Sequence, residues 1–177
     1  GMTPVMGSYD GNSIDDLAVY DESTGRWYIY SKWWDKIVAF GVQWGGPGMV
    51  PVAGDYDADG YWDLAVFQPV TGNWYVYSLE KNRVIHMGVN WGNASMTPVP
   101  GDFNADGCFD LALYQNSTGN WYILSGANLG VIAIANWGGP GMVPASGDYD
   151  GNGSNDFAAY EPATGRWYIM PMGGSTP

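Results

Sequence analysis

Charge is scarce in this sequence, and basic groups, histidine and cysteine are nearly missing. Only 14% of the 177 residues are Asp, Glu, Lys or Arg, and six basic residues stand against eighteen acidic ones, a formal net charge of −12. A chain of that sign repels a phosphate backbone, which excludes nucleic acid as a partner. With 46% apolar residues it is equally unlike a disordered acidic tail, and its length supports one domain, residues 1–177, with a real core. The one cysteine, Cys108, rules out an internal disulfide and leaves the compartment open, since a secreted chain can rely on metal instead of bridges. No apolar run reaches the ~18 residues of a membrane-spanning helix, and the first residues show no basic stretch followed by an apolar one, so neither a span nor a secretory signal is expected. Gly1 before Met2 reads as a cloning remnant and residues 173–177 as the start of a linker, which makes the chain part of a longer polypeptide. The single imidazole, His86, stands in an expected strand without a recognisable companion, so nucleophilic catalysis finds no base and the chain is read as non-catalytic.

What is abundant is glycine and aromatic residues, and they recur. Trp27-Tyr28, Trp74-Tyr75, Trp121-Tyr122 and Trp167-Tyr168 follow one another at intervals of 47, 47 and 46 residues, each preceded by Thr-Gly and one polar residue. Upstream, the segments GSYDGNSIDDLAVY, GDYDADGYWDLAVF, GDFNADGCFDLALY and GDYDGNGSNDFAAY align in the same register. The repeats therefore span about 2–48, 49–95, 96–141 and 142–177, the last cut short.

Within a repeat, Pro-Val before the acidic segment begins a short strand, and the run Leu64-Ala65-Val66-Phe67 is a strand buried on both faces. Thr71-Gly72 supplies a tight turn, Asn73 to Tyr77 returns as a third strand, and Val84 to Val89 forms a fourth. Four short strands per unit, repeated in tandem, is the pattern of a propeller blade, so an all-β, β-propeller-type fold of four repeats is expected. Because the fourth repeat stops after its third strand, a four-blade ring with a ragged last blade and an incomplete ring pairing with another chain as a homo-oligomer are both open.

The acidic segments carry the chemistry. In the second repeat Asp55, Asp57, Asp59 and Asp63 occupy positions 1, 3, 5 and 9 of one loop, with Gly60 at position 6 and the carbonyl of Tyr61 at position 7. Alternating carboxylates on a tight arc supply the oxygens that calcium takes, but Val66 stands where an EF-hand needs its bidentate Glu, so a strand-loop-strand site is expected. The other loops keep the spacing with fewer charges: Asp102, Asn104, Asp106, Cys108 and Asp110; Asp148, Asp150, Asn152, Ser154 and Asp156; Ser8, Asp10, Asn12, Ile14 and Asp16, where Cys108, Ser154 and Ile14 offer carbonyls. Charge count orders them second, then third and fourth, then first, which also has Ser13 at position 6. Twelve of the eighteen acidic residues are used, and four calcium ions would bring the formal charge from −12 to −4. The competing reading is that Asp and Asn merely cap their own backbone in turns.

The string G-D-x-[DN]-x-[DN]-G-x-x-D-[LF]-A, followed by T-G-x-W-Y and a Trp-Gly linker, resembles the FG-GAP or VCBS-type repeat of integrin α-subunit propellers and many bacterial surface proteins, over the whole chain. The resemblance implies a propeller whose calcium ions stiffen the loops of one face, in an extracellular or cell-surface setting, used for adhesion or recognition. Ser8 and Ser13 depart from the pattern.

Ten tryptophans also invite a carbohydrate-binding reading. Trp27, Trp74, Trp121 and Trp167 lie on third strands, where packing between blades is their expected role. Trp44, Trp91 and Trp137, each followed by Gly between repeats, are the candidates for stacking on sugar. Trp33, Trp34 and Trp62 fall outside the repeat and are where a protein partner is expected to dock. Two functions thus stay open: a calcium-stabilised adhesion module or spacer, and a multivalent lectin using the Trp-Gly junctions.

Overall fold

The computed structural model describes residues 1–173. Of the linker-like end, residues 174–177 lie outside the described residues. The chain is all-β, a β-propeller-type fold of four antiparallel meander sheets, and no helix among the described residues is long and apolar enough to cross a membrane.

The residues divide into two compact units, Gly1–Trp91 and Gly92–Pro177, each holding two blades. In the first unit, β1 (Met2–Pro4), β2 (Leu17–Asp21), β3 (Arg26–Ser31) and β4 (Lys36–Gln43) form one sheet, and β5 (Val50–Pro51), β6 (Leu64–Gln68), β7 (Asn73–Ser78) and β8 (Arg83–Asn90) the next. The second unit holds β9 (Met96–Pro98), β10 (Leu111–Gln115), β11 (Asn120–Leu124) and β12 (Val131–Asn136), then the three strands β13 (Val143–Pro144), β14 (Phe157–Glu161) and β15 (Arg166–Met170).

One boundary differs from the sequence expectation. The first strand of each blade does not begin at the Pro-Val step but ends there. Proline has no N–H for the ladder, and the next residue donates the last bond before the chain turns away: Val5, Val52, Val99 and Ala145 each reach the carbonyl of an alanine on the second strand at 2.9 Å. The second strands are buried on both faces in β6 and β10, as the apolar run requires. In β2 only one face is covered, and Leu17 is 65% exposed.

Within each unit the core is the seam between neighbouring blades. Ala18, Tyr20, Trp27 and Ile29 pack with Leu64 and Val66 in the first unit. Tyr114, Trp121 and Ile123 pack with Phe103 and Phe157 in the second, with Trp121 stacked on Phe157 at a centroid distance of 5.1 Å. Each buried third-strand tryptophan also satisfies its polar edge, because the indole N–H of Trp27, Trp74 and Trp121 donates to the carbonyl of Trp44, Trp91 and Trp137, always at 2.8 Å. The linker that provides this carbonyl crosses so close to the Thr-Gly turn that a Cβ on Gly119 would fall 2.5 Å from the carbonyl carbon of Gly138. Gly165 occupies the same turn of the fourth blade with the same positive φ, +73° against +78°, and has nothing within 4 Å.

This pair isolates the contribution of the linker. Alanine at Gly165 meets only the left-handed backbone cost of about 1–2 kcal/mol, whereas alanine at Gly119 must also displace the linker backbone. Urea unfolding is expected to show Gly119→Ala lowering stability by at least twice as much as Gly165→Ala; equal losses would mean that the linker contact contributes nothing.

Candidate metal loops

Each acidic loop is closed at its base by backbone. The N–H groups of Asp16, Asp63, Asp110 and Asp156 donate to the carbonyls of Gly7, Gly54, Gly101 and Gly147 at 2.7–2.8 Å, so positions 0 and 9 form an isolated bridge in every repeat. The position-9 carboxylate then folds back, and one of its oxygens accepts the N–H at position 2: Tyr9, Tyr56, Phe103 and Tyr149 donate at 2.8–2.9 Å. At position 5, an Asp or Asn oxygen accepts the N–H of position 7, from Ile14, Tyr61, Cys108 and Ser154 at 2.7–2.9 Å. Position 1 caps the sharp bend: Asp55, Asp102 and Asp148 accept the N–H of Gly60, Gly107 and Gly153, and the Ser8 hydroxyl accepts that of Ser13. Ser13 holds φ +63°, so the first loop adopts the same bend although it lacks the glycine. Adjacent loops are stitched together within each unit, with Trp62 N–H donating to the Ser8 carbonyl at 2.9 Å and Asn155 N–H to that of Asp102 at 2.6 Å.

These bonds are the Asx-turn pattern, and they leave acceptor capacity unused, because each carboxylate oxygen has two lone pairs. Carboxylate oxygens of Asp55, Asp57 and Asp59 lie within 4.8 Å of one another, and so do those of Asp148, Asp150 and Asp156. Among the described residues, acidic groups of three form in these two loops; in the third, the Asn104 amide separates its neighbours and donates to Asp106 at 3.0 Å. The second loop contains two cations that the spacing of its carboxylates does not reveal. Lys81 Nζ, on the turn between β7 and β8, lies 2.9 Å from Asp57 Oδ1 and 3.2 Å from Asp59 Oδ2, and Arg83 donates to Asp57 Oδ2 at 3.0 Å. The ammonium bridges two carboxylates as a metal ion would. Charge count alone therefore overlooks a competitor in the loop with the most carboxylates.

Burial and charge set the acidity of these groups. The Asp63 carboxyl is pushed up to about 7, first by burial and then by the neighbouring carboxylates of Asp57, Asp59 and Asp55. Asp110 is likewise pushed up to about 7 by burial, with Asp106 and Asp102 adding to it. At Asp57 burial works the same way, but Lys81 and Arg83 outweigh it and hold the carboxyl below its usual range. The Gly153 amide does the same for Asp148.

The other candidates are distributed unevenly. Trp44, Trp91 and Trp137 accept the indole N–H of Trp27, Trp74 and Trp121 through their carbonyls, and the Trp44 indole also donates to the Tyr75 carbonyl at 3.2 Å and packs against Tyr77. A shallow groove beside Trp44 is lined by Gly45, Met49, Tyr75 and Met87. Trp33 and Trp34 are exposed at the turn between β3 and β4. Trp62 does not join them: it is half-buried with its ring laid on Gly7, where a Cβ would come within 2.1 Å of it. His86 is buried on β8 opposite Val76, and Cys108 is buried at position 7 of its loop.

The raised carboxyls make a signed prediction. An unfolded Asp titrates near ~3.9, whereas Asp63 and Asp110 in the folded chain titrate near 7, so between those values the folded state holds more protons and stability falls as pH rises. In a chelator, the unfolding midpoint is expected to drop from about pH 5 to about pH 8, and millimolar calcium, which requires the deprotonated ligands, is expected to shrink or reverse that drop; a midpoint flat with pH in the chelator would contradict the assignment. Compared with family models and with curated proteins, the sequence matches none.

Proposed function

We propose that this chain is a non-catalytic, calcium-binding repeat module of a secreted or cell-surface protein, which presents a stiffened surface for adhesion or another protein contact. One observation carries the metal reading. Asp63 Oδ1 is a buried oxygen with no hydrogen-bond partner among the described residues, and it shares the loop with the buried Asp57 Oδ1 and Asp59 Oδ2, which the Lys81 ammonium pairs at 2.9 and 3.2 Å. A buried acceptor left unmade costs about 1–3 kcal/mol, and more when charged, and a hard divalent cation with six to eight oxygen ligands satisfies several at once. Asp55, Asp57, Asp59 and Asp63, with the carbonyl of Tyr61, would hold the ion in the second loop, and the equivalent residues would do so in the others. Calcium so bound joins the turn to the foot of the second strand, since Asp63 immediately precedes Leu64 of β6. Extracellular fluid keeps calcium at the concentrations such loops use.

The exposed Trp33 and Trp34 are the natural contact for a protein partner, being large apolar rings held at a hairpin tip. A second reading, carbohydrate binding, is favoured only by the groove beside Trp44. Its weakness is that the Trp44 indole N–H and carbonyl are already engaged inside the seam.

Thermal melting of metal-stripped protein tests the central claim. Calcium, but not magnesium, is expected to raise the midpoint, by an amount equivalent to about 2.7 kcal/mol when calcium is a hundredfold above its dissociation constant. Asp63→Asn is expected to diminish that response, and Lys81→Ala to tighten calcium binding in the second loop while leaving the metal-free protein less stable. No response to calcium would reduce the loops to capped turns.

A further inference from the structure

The internal seams show what covers each face of a blade. Strand residues alternate between faces. One face of the first sheet therefore carries Ala18, Tyr20, Trp27 and Ile29, paired across β2 and β3, and the other carries Leu17, Val19, Tyr28 and Tyr30, likewise paired. In the first unit the tryptophan face of the first blade is buried on the Leu64 and Val66 face of the second. In the second unit the Trp121 face of the third blade is buried on the Phe157 face of the fourth. Every such seam joins a tryptophan face to a leucine-type face of the following blade.

Two faces have no such cover. On the first blade, Leu17 is 65% and Phe40 77% exposed, although Leu64 and Leu111 at the position of Leu17 are at 0%. Phe40 and Ile37 pair with Tyr28 and Tyr30, so they extend the same bare face, which is dished into an apolar groove. On the fourth blade, Trp167 is 56% exposed, whereas Trp27, Trp74 and Trp121 are at 0%. The sheet that carries this ring has three strands among the described residues, where the other three sheets have four. The chain thus displays one free leucine face and one free tryptophan face, the two halves of the seam it makes internally.

We propose that these faces meet between molecules: the Leu17 face of one copy docks on the Trp167 face of a second copy, repeating the internal blade seam in trans. The occupant is argued from the seams themselves, because each free face carries the side chains whose partner the neighbouring repeats already specify. Such contact is head-to-tail, with different surfaces on the two copies. It does not depend on whether the loops hold metal.

The test is association of the full chain in physiological salt, where charges more than about 8 Å apart are largely screened. Sedimentation from micromolar to near-millimolar protein is expected to show the 19.2 kDa species giving way to at least twice that mass. Leu17→Glu and Trp167→Glu change residues that are more than half exposed, and each is expected to keep the β-sheet circular dichroism of the parent and stay monomeric; Phe40→Glu serves as a second block of the leucine face. An equimolar mixture of the Leu17→Glu and Trp167→Glu chains is expected to form a one-to-one dimer that grows no further, since one intact face survives on each. A parent that stays monomeric throughout, a variant that assembles as the parent does, or a mixture that stays monomeric overturns the proposal. A monomeric parent would mean that the two faces are covered by something other than a second copy.

Discussion

The structure depends on the tryptophan at the second residue of the third strand in the first three blades, Trp27, Trp74 and Trp121, each fully buried with its one polar atom satisfied. A ring of that size removes more apolar surface from water than any other side chain in the repeat, and the apolar area buried is the main favourable term in folding. Burying it would also strand an N–H unless a carbonyl came to meet it. The linker does this in three of the blades, at the same 2.8 Å each time. To bring that carbonyl in, the linker must pass over the preceding hairpin with almost no clearance, which is why glycine stands both in the turn, as at Gly25, and in the linker, as at Gly45. The Tyr20 hydroxyl fastens the linker from the other side, accepting from the Gly46 amide and donating to its carbonyl, and Tyr114 repeats this at Gly139. The T-G-x-W-Y and Trp-Gly signatures are thus two parts of one contact.

That linkage explains how much of the fold could be read in advance. A period near 47 residues, a hairpin glycine and alternating apolar positions fix strand number and order, because each follows from local geometry. The start of the first strand was misplaced because proline marks both where a strand can sit and where its ladder must stop, and the sequence alone does not separate these. The loop positions were legible for a similar reason: Asp, Asn and Ser at alternate sites make local bonds to their own backbone. Less legible was position 4, where Gly11, Ala58, Ala105 and Gly151 all take positive φ; alanine there conceals a constraint that glycine would have advertised.

Contacts between repeats were the least legible. Trp62 looked like part of an exposed aromatic cluster, yet it lies on Gly7 of the preceding blade, a pairing that depends on how two sheets are stacked and leaves no trace in spacing. Lys81 and Arg83 were missed for the same reason. They lie 24 and 26 residues after Asp57, on another hairpin, and only folding brings them to its carboxylate. A signal was nevertheless present. The chain has only six basic residues, and two of them fall in one hairpin of the repeat with the most carboxylates, as charge balance would favour.

That placement bears on what the loops do. Three or four carboxylates within nine residues repel one another, and the second, third and fourth repeats answer this differently. In the second loop an ammonium and a guanidinium come in from the next hairpin. In the fourth, Asn152 donates its amide to Asp150, and backbone amides surround Asp148. In the third, Asn104 donates to Asp106 while Asp110 is kept toward its neutral form by burial. Each device supplies the positive end of a dipole, or withdraws a charge, at a place where a cation would do both better. On the proposed reading, a bound ion would add to these devices rather than replace them. Because every position-9 carboxylate is the residue just before a second strand, whatever settles the charge in the loop also fixes the foot of the strand that fills the seam.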